Sequence, residues 1–159
     1  REQNYRNDLM EDRKRLFNAL FNFARKLPVS YICAKVKKSE CADVVELTSK
    51  LSKSISRILR DHAEYFESFD KIIVYYDNGQ GELTKILTTL FNALLNNVEF
   101  RKVKPSDYKL FQVADLVCTL ELLSEKAGTS SFTHSEFEFF HSVRDFKKNY
   151  YKSISQKHI

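Results

Sequence analysis

The sequence predicts an α/β fold made of a single domain over residues 1–159, and the pattern between residues 71 and 124 carries that prediction. KIIVYYD at 71–77 is a short continuous apolar run, which is typical of a strand buried on both faces. The next segment, ELTKILTTLFNALLNN, has apolar residues at helical spacing, and VEFRKV at 98–103 alternates as a strand does. Strand, helix and strand in this order form a βαβ unit, whose crossover is nearly always right-handed.

The other elements follow from the same spacing rules. Apolar residues at helical positions predict helices over about 8–26, 42–67 and 108–124, besides the one over 82–97, and an aromatic helical tail from about residue 134. VSYICAKV at 29–36 is rich in β-branched and aromatic residues and predicts a first strand. Two prolines and three glycines leave little room for long linkers.

Composition narrows the class of protein. A net charge of +5 permits a polyanionic partner without requiring one, because nucleic-acid binding depends on the clustering of charge. No apolar run approaches the roughly 20 residues that a membrane helix needs, so we expect no membrane association. Three cysteines without paired metal spacing indicate a reduced, intracellular setting, and we expect a cytoplasmic protein.

Asp77 is the first candidate site residue, within YYDNGQGE at 75–82. Asp-Asn-Gly favours a turn, because Asn and Gly tolerate positive φ and the Asp side chain bonds the backbone nearby. Asp77 also ends a predicted strand, and ligands of open α/β sheets bind at the carboxyl ends of strands. A turn and a ligand-binding role both stay open.

Asp115 is the second candidate, within LFQVADLVCTLELL at 110–123. This segment is apolar almost all round as a helix, so a carboxylate in its middle must find donors, a cation or water. Gln112, three residues earlier, is placed to supply an amide donor, and an Asp at the helix edge bonded to a loop is the alternative. In a layered α/β domain Asp77 and Asp115 can converge, and Mg²⁺ would relieve their repulsion.

Three segments together resemble the domain-of-unknown-function 3800 family: YYDNGQ, KVKPSDYKLFQVADLVCTLELL and FKKNYYKSI. The resemblance implies a ribonuclease H-like fold, with a layered sheet and helices on both faces, and a nuclease that depends on Mg²⁺ or Mn²⁺. The family's strand-terminal Asp and its Gln-x-Ala-Asp motif match Asp77 and Gln112 with Asp115. The implied catalytic residues and metal ligands are Asp77 and Asp115, supported by Gln112. We expect Asn78, next to Asp77, to support them as well.

One departure from the family pattern bears on activity. Members usually begin with a strand carrying Asp-Glu-Ser-Gly, and no such motif occurs here. We expect the missing N-terminal strands to precede Arg1 in the intact protein, which makes this chain the C-terminal major part of the domain and leaves it inactive by itself. The alternative is a catalytically inactive module that binds nucleic acid or a protein partner. A phospho-receiver-like switch fits least, because its acidic pair and strand-end lysine are missing.

Basic residues flank the predicted site, and nucleic acid is the expected partner. The candidates at the end of the first strand are Lys37 and Lys38, with Lys35. Those at the third strand are Arg101, Lys102 and Lys104, and Lys109 is a further candidate before Asp115. Contacts to phosphates would make binding salt-dependent, although lysines at strand ends also keep sheet edges soluble. A homo-oligomer or a protein partner stays open. Cys118 is expected in the core and Glu121 on the solvated surface.

Overall fold

The computed structural model describes the backbone of residues 2–77 and 81–159, with side chains from residue 9 onward. The chain divides into two compact units, which we call unit 1 (Arg1–Cys33 with Lys109–Ile159) and unit 2 (Ala34–Tyr108). It is mixed α/β with a two-stranded parallel sheet among the described residues, which confirms the α/β class. The ribonuclease H-like fold and the single domain over 1–159 stay predictions.

The order of elements along the described chain is simple. It runs α1 (Glu2–Lys26), α2 (Val44–Asp61), α3 (Ala63–Glu67), β1 (Ile72–Tyr76), α4 (Gly81–Leu94), β2 (Val98–Lys102), α5 (Lys109–Gly128), α6 (His134–Phe140), α7 (Val143–Phe146), a π-helical turn (Lys147–Tyr151) and α8 (Lys152–Ser155). Short 3₁₀ turns lie at Lys38–Glu40 and Pro105–Asp107. The predicted helices, the helical tail and the two later strands are confirmed, with one break at His62 where a single helix was expected.

The predicted first strand at 29–36 is wrong. In place of a strand, Tyr31 makes one isolated parallel bridge to His158. The Tyr31 N–H donates to the Lys157 carbonyl over 3.0 Å, and the Ile159 N–H donates to the Tyr31 carbonyl over 3.2 Å. The β-branched and aromatic residues that suggested a strand instead serve packing: Tyr31 lies against the core of unit 1 and Ala34 against that of unit 2.

Unit 1 is a helical unit with an aromatic core. Its most deeply buried large side chains are Phe146, Leu120 and Ile154. The Phe140 and Phe146 rings meet edge to face with centroids 5.2 Å apart, and the Phe21 and Tyr150 rings meet at 4.9 Å. Edge-to-face contacts at these separations add to the free energy gained by burying the rings. The aromatic residues of the C-terminal segment therefore cover α1 and α5.

The π-helical turn places two consecutive tyrosines against the core of unit 1. The Tyr150 hydroxyl donates to the Asn18 side-chain oxygen over 2.9 Å, and the Tyr151 hydroxyl reaches Glu121 at 3.3 Å. Neighbours on an ordinary α-helix point about 100° apart. The wider π turn, a form often found at functional sites, brings both rings into the same packed layer.

Unit 2 contains the predicted βαβ unit. β1 and β2 pair in parallel, from Ile72 opposite Val98 to Tyr76 opposite Lys102, and α4 is the crossover. The burial of β1 on both faces is a wrong prediction: Ile73 is 37% and Tyr75 39% exposed. Alternate strand residues point to opposite faces. One face packs on the apolar cluster of α2 and α4, and the other is open.

Candidate functional site

Asp77 lies at the carboxyl end of β1, as the sequence predicts. It follows Tyr76 directly, at the point where the Val103 N–H donates to the Tyr76 carbonyl over 2.9 Å and closes the strand ladder. The Thr84 hydroxyl of α4 donates to the Asp77 backbone oxygen over 3.5 Å. Asp77 is half-buried. Asn78, the other candidate at this turn, lies outside the described residues.

Lysines share this edge of the sheet with Asp77. Because the strands are parallel and Tyr76 pairs with Lys102, the ends of β1 and β2 meet at one edge. Lys102 and Lys104 are exposed there, and neither makes an ion pair with a residue in the described part of the chain. The edge therefore combines one carboxylate with two cations that are open to solvent.

Arg101 lies on the open face of the sheet and is already engaged. Its Nε donates to Glu99 Oε1 over 2.6 Å, its Nη1 to the Tyr75 hydroxyl over 3.3 Å, and its guanidinium lies 5.9 Å from the centre of the Tyr75 ring. Lys71 also pairs with Glu99. Hydrogen bonds from Arg101 and then Lys71 lower the pKa of Glu99 to about 2. Arg101 is therefore a neutralised cation.

The other candidate cations of unit 2 lie near the 3₁₀ turn Lys38–Glu40 rather than at a strand end. Lys37 pairs with Glu40 over 3.6 Å, and Lys38 is exposed in the first position of the turn. Lys35 is exposed beside them. These lysines were placed at a sheet edge because a strand was predicted over 29–36. Since this segment is not a strand, that argument no longer applies. Their role as substrate contacts rests on charge alone.

Asp115 is on the exposed side of α5, which corrects the expectation that it stands in an apolar surface. Its carboxylate makes no hydrogen bond or ion pair with any residue the structure describes, and the same holds for the half-buried Gln112 side chain. Lys109 is exposed at the first position of this helix. Cys118 is exposed as well, so its predicted place in the core is wrong.

The two aspartates belong to different units, Asp77 to unit 2 and Asp115 to unit 1. Within the described ranges, 2–77 and 81–159, no group of three or more His, Cys, Asp and Glu side chains is arranged to hold a metal ion. The convergence of Asp77 and Asp115 on a divalent cation stays a prediction.

The buried carboxylate of the described chain is Glu121, which is 4% exposed. It accepts hydrogen bonds from the hydroxyls of Tyr31 and Tyr151. Burial, followed by the hydrogen bond to Glu121 and its charge, raises the pKa of Tyr31 far above its usual value. The expectation of a solvated Glu121 is therefore wrong. The apolar spacing of α5 did not distinguish the side of Glu121 from that of Asp115, because apolar residues occur on every side of this helix.

Comparisons with protein-family models, curated proteins and solved structures give no match for this chain. Within the described part of the chain, every helix is too short or too polar to span a bilayer.

Proposed function

We propose that this protein acts on nucleic acid as a divalent-metal-dependent phosphodiester hydrolase of ribonuclease H-like fold. The observation that carries the proposal is the place of Asp77 at the carboxyl end of β1, beside the exposed Lys102 and Lys104. Ligands of open α/β sheets bind at this edge. A carboxylate next to two cations suits a phosphodiester, because the cations attract phosphate oxygens and the carboxylate supplies a metal ligand.

The donor set fits Mg²⁺ or Mn²⁺ in its chemistry, since both ions prefer carboxylate oxygens. Asp115 offers an exposed carboxylate that no described residue engages. Asp77 and Asp115 would hold the ion, with Gln112 and Asn78 supporting them. A divalent ion bound there supplies polarisation of a water molecule and neutralisation of charge on the scissile phosphate.

The basic side chains hold the substrate in this proposal. Lys102, Lys104 and Lys109 are exposed and contact phosphates on either side of the scissile bond. Arg101 contributes less to affinity, because Glu99 already neutralises its charge. Lys37 is partly neutralised by Glu40 in the same way. The lysines at the sheet edge are thus the principal substrate contacts.

A catalytically inactive nucleic-acid-binding module is the second candidate. The exposed, unneutralised lysines Lys102 and Lys104 favour it, because phosphate attraction alone accounts for them. The two candidates share their ligand and differ in turnover. Cleavage and binding must therefore be measured separately.

Cleavage of labelled single-stranded DNA, duplex DNA and RNA in Mn²⁺ tests the hydrolase. We expect strand scission with the full-length protein, loss of scission in EDTA, and loss in its Asp77→Asn and Asp115→Asn variants. Asp107→Asn is the matched control, because it removes one exposed carboxylate from the Pro105–Asp107 turn and leaves both proposed ligands intact. Binding of Mn²⁺ alone, followed by calorimetry, should weaken in the same two variants.

The outcomes separate the candidates. Binding of the oligonucleotides without scission, and Mn²⁺ affinity that is unchanged in Asp77→Asn, would reject the hydrolase in favour of the binding module. Neither binding nor scission would reject both. Equal loss of scission in Asp107→Asn would show that net charge matters and that the two aspartates have no special role.

A further inference from the structure

Helix α2 carries a basic stripe on the side away from its buried residues. Ile55 and Leu59 face the core of unit 2. The stripe consists of Lys50, Lys53, Arg57 and Arg60. Successive members are three or four residues apart, which is the spacing that puts side chains next to one another on a helix. None of these four residues is among the substrate contacts predicted from the sequence.

Most cations of the stripe have no carboxylate partner among the described residues. Lys50 is paired with Glu46 over 2.9 Å, whereas Lys53, Arg57 and Arg60 are exposed and make no ion pair with a described residue. Like charges at helical spacing repel each other and destabilise the helix. A polyanion lying along the stripe would relieve that repulsion.

The three unbalanced cations line a groove of about 630 Å³. Its lining residues are Ser52, Lys53, Ser56, Arg57, Arg60 and Asp61 of α2, with Leu90 of α4. The Ser52 hydroxyl donates to the Thr48 carbonyl over 2.8 Å, and the Ser56 hydroxyl makes no hydrogen bond to a described residue. Arg, Lys and Ser side chains are the groups that contact phosphate oxygens in nucleic-acid complexes. Three cations outweigh the single carboxylate of Asp61.

We propose that this groove binds the phosphodiester backbone of nucleic acid without regard to base sequence. Lys53 and Arg60 are separated by seven residues, a rise of about 10 Å. That length equals about three steps of one duplex strand, whose successive phosphates lie about 3.4 Å apart along the axis. Among the described residues, the lining offers no aromatic side chain on which a base could stack, and its cations suit phosphate oxygens, so we expect backbone contacts. The proposal goes beyond the proposed hydrolase, because none of its residues belongs to the sheet edge.

The test measures the affinity of a labelled DNA duplex in EDTA as salt is varied. The variant Lys53→Gln, Arg57→Gln, Arg60→Gln removes the three cations. A control variant, Arg13→Gln, Arg25→Gln, Lys26→Gln, removes the same charge from exposed positions of α1. A second control, Lys53→Arg, Arg57→Lys, Arg60→Lys, keeps the charge of the groove.

We expect the groove variant to bind the duplex roughly tenfold or more weakly at low salt. Its slope of log affinity against log salt concentration should be smaller in magnitude by about 2 to 3, because each lost phosphate contact removes about 0.9 from the slope. The α1 variant and the charge-preserving variant should retain most of the affinity and slope. Equal binding by the groove variant, or an equal loss in the α1 variant, would overturn the proposal. So would competition by polyglutamate as effective per charge as competition by DNA, or no binding by the parent chain.

A measurement on the parent chain tests the groove even if the groove variant misfolds. Saturating duplex should protect Lys53 from acetylation and leave Lys85, which is exposed on α4, unprotected. Absence of protection at Lys53 would overturn the groove assignment. Scission in Mn²⁺ is scored separately, so a failure of the hydrolase proposal leaves this result interpretable, and the reverse also holds.

Discussion

The two units bury their apolar residues to very different extents. Among the residues whose side chains the structure describes, the core cluster of unit 1 has ten buried side chains, several of them aromatic. That of unit 2 has three, Ile55, Leu59 and Leu95, surrounded by half-buried neighbours. Unit 2 also has the open sheet face, the lysine-bearing strand ends and the basic groove. A well-filled core and an accessible binding surface are thus found in different parts of the chain.

Matched leucine substitutions test that difference, and they have the largest expected effect. Leu120→Ala in unit 1 and Leu59→Ala in unit 2 remove the same atoms from sites 0% and 2% exposed. We expect the free energy of unfolding to fall by about 4–5 kcal/mol for Leu120 and by about 2–3 kcal/mol for Leu59, because a loosely packed site collapses more fully around the lost atoms. Urea denaturation measures the change in the free energy of unfolding, and hydrogen exchange shows in which unit the stability is lost. Equal losses would contradict the contrast between the cores.

A second prediction concerns the buried carboxylate of unit 1. Tyr31→Phe removes a hydroxyl that donates to Glu121, and we expect a loss of about 1.5–3 kcal/mol, the usual range for a hydrogen bond to a charged group. Tyr65→Phe, at a 46% exposed tyrosine of unit 2, should change the free energy of unfolding by less than about 0.5 kcal/mol.

The difference in stability between the parent chain and Tyr31→Phe should depend on pH. The pKa of Tyr31 is raised on folding, so the stabilisation is complete below the ordinary tyrosine value of 10.0 and declines as the pH rises above it. The difference in stability between the parent chain and Tyr31→Phe should therefore narrow above pH 10, by at most about 1.4 kcal/mol per pH unit. A difference independent of pH would contradict the raised pKa.

The smallest expected effect is on the open face of unit 2. Arg101 and Lys71 lower the pKa of Glu99 to about 2, so its contribution to stability is present above the unfolded value of 4.5 and is lost as the pH falls towards 2. NMR titration should place the Glu99 midpoint near 2, and Arg101→Gln should move it upward. Because Lys71 and Arg101 are exposed and Glu99 is only half-buried, we expect little change in global stability from Arg101→Gln. A normal midpoint would contradict the pairing.

Local pattern was sufficient for most elements of the fold. Hydrophobic spacing predicted α1, α4 and α5, and the continuous run ending in Asp77 predicted β1 together with the position of Asp77 at its carboxyl end. These features depend on neighbours a few residues apart along the chain. The false strand at 29–36 shows the limit, since strand formation needs a pairing partner that composition does not supply.

Asp115 and Glu121 show a second limit, because Asp115 was expected in an apolar surface and is exposed, whereas Glu121 was expected on the surface and is buried. They lie six residues apart on α5, which places them about 120° apart around the helix, so the two carboxylates face different sides. Because α5 is apolar almost all round, its sequence did not reveal which side faces the core. That choice depends on α1 and the C-terminal tyrosines, whose contacts are distant in sequence. Whether Asp77 and Asp115 converge is a long-range question of the same kind.

The π-helical turn Lys147–Tyr151 has a consequence for insertions and deletions in this region. A π turn closes over one residue more than an α-helical turn, so it takes up an extra residue within a single turn. Deleting Asn149 would therefore convert this segment to a regular α-helix and leave the orientation of later residues nearly unchanged, so Ile154, which is 1% exposed, would stay in the interior. Related chains should accordingly tolerate the loss of one residue here, whereas the same loss from a regular stretch of helix would rotate everything after it by about 100°.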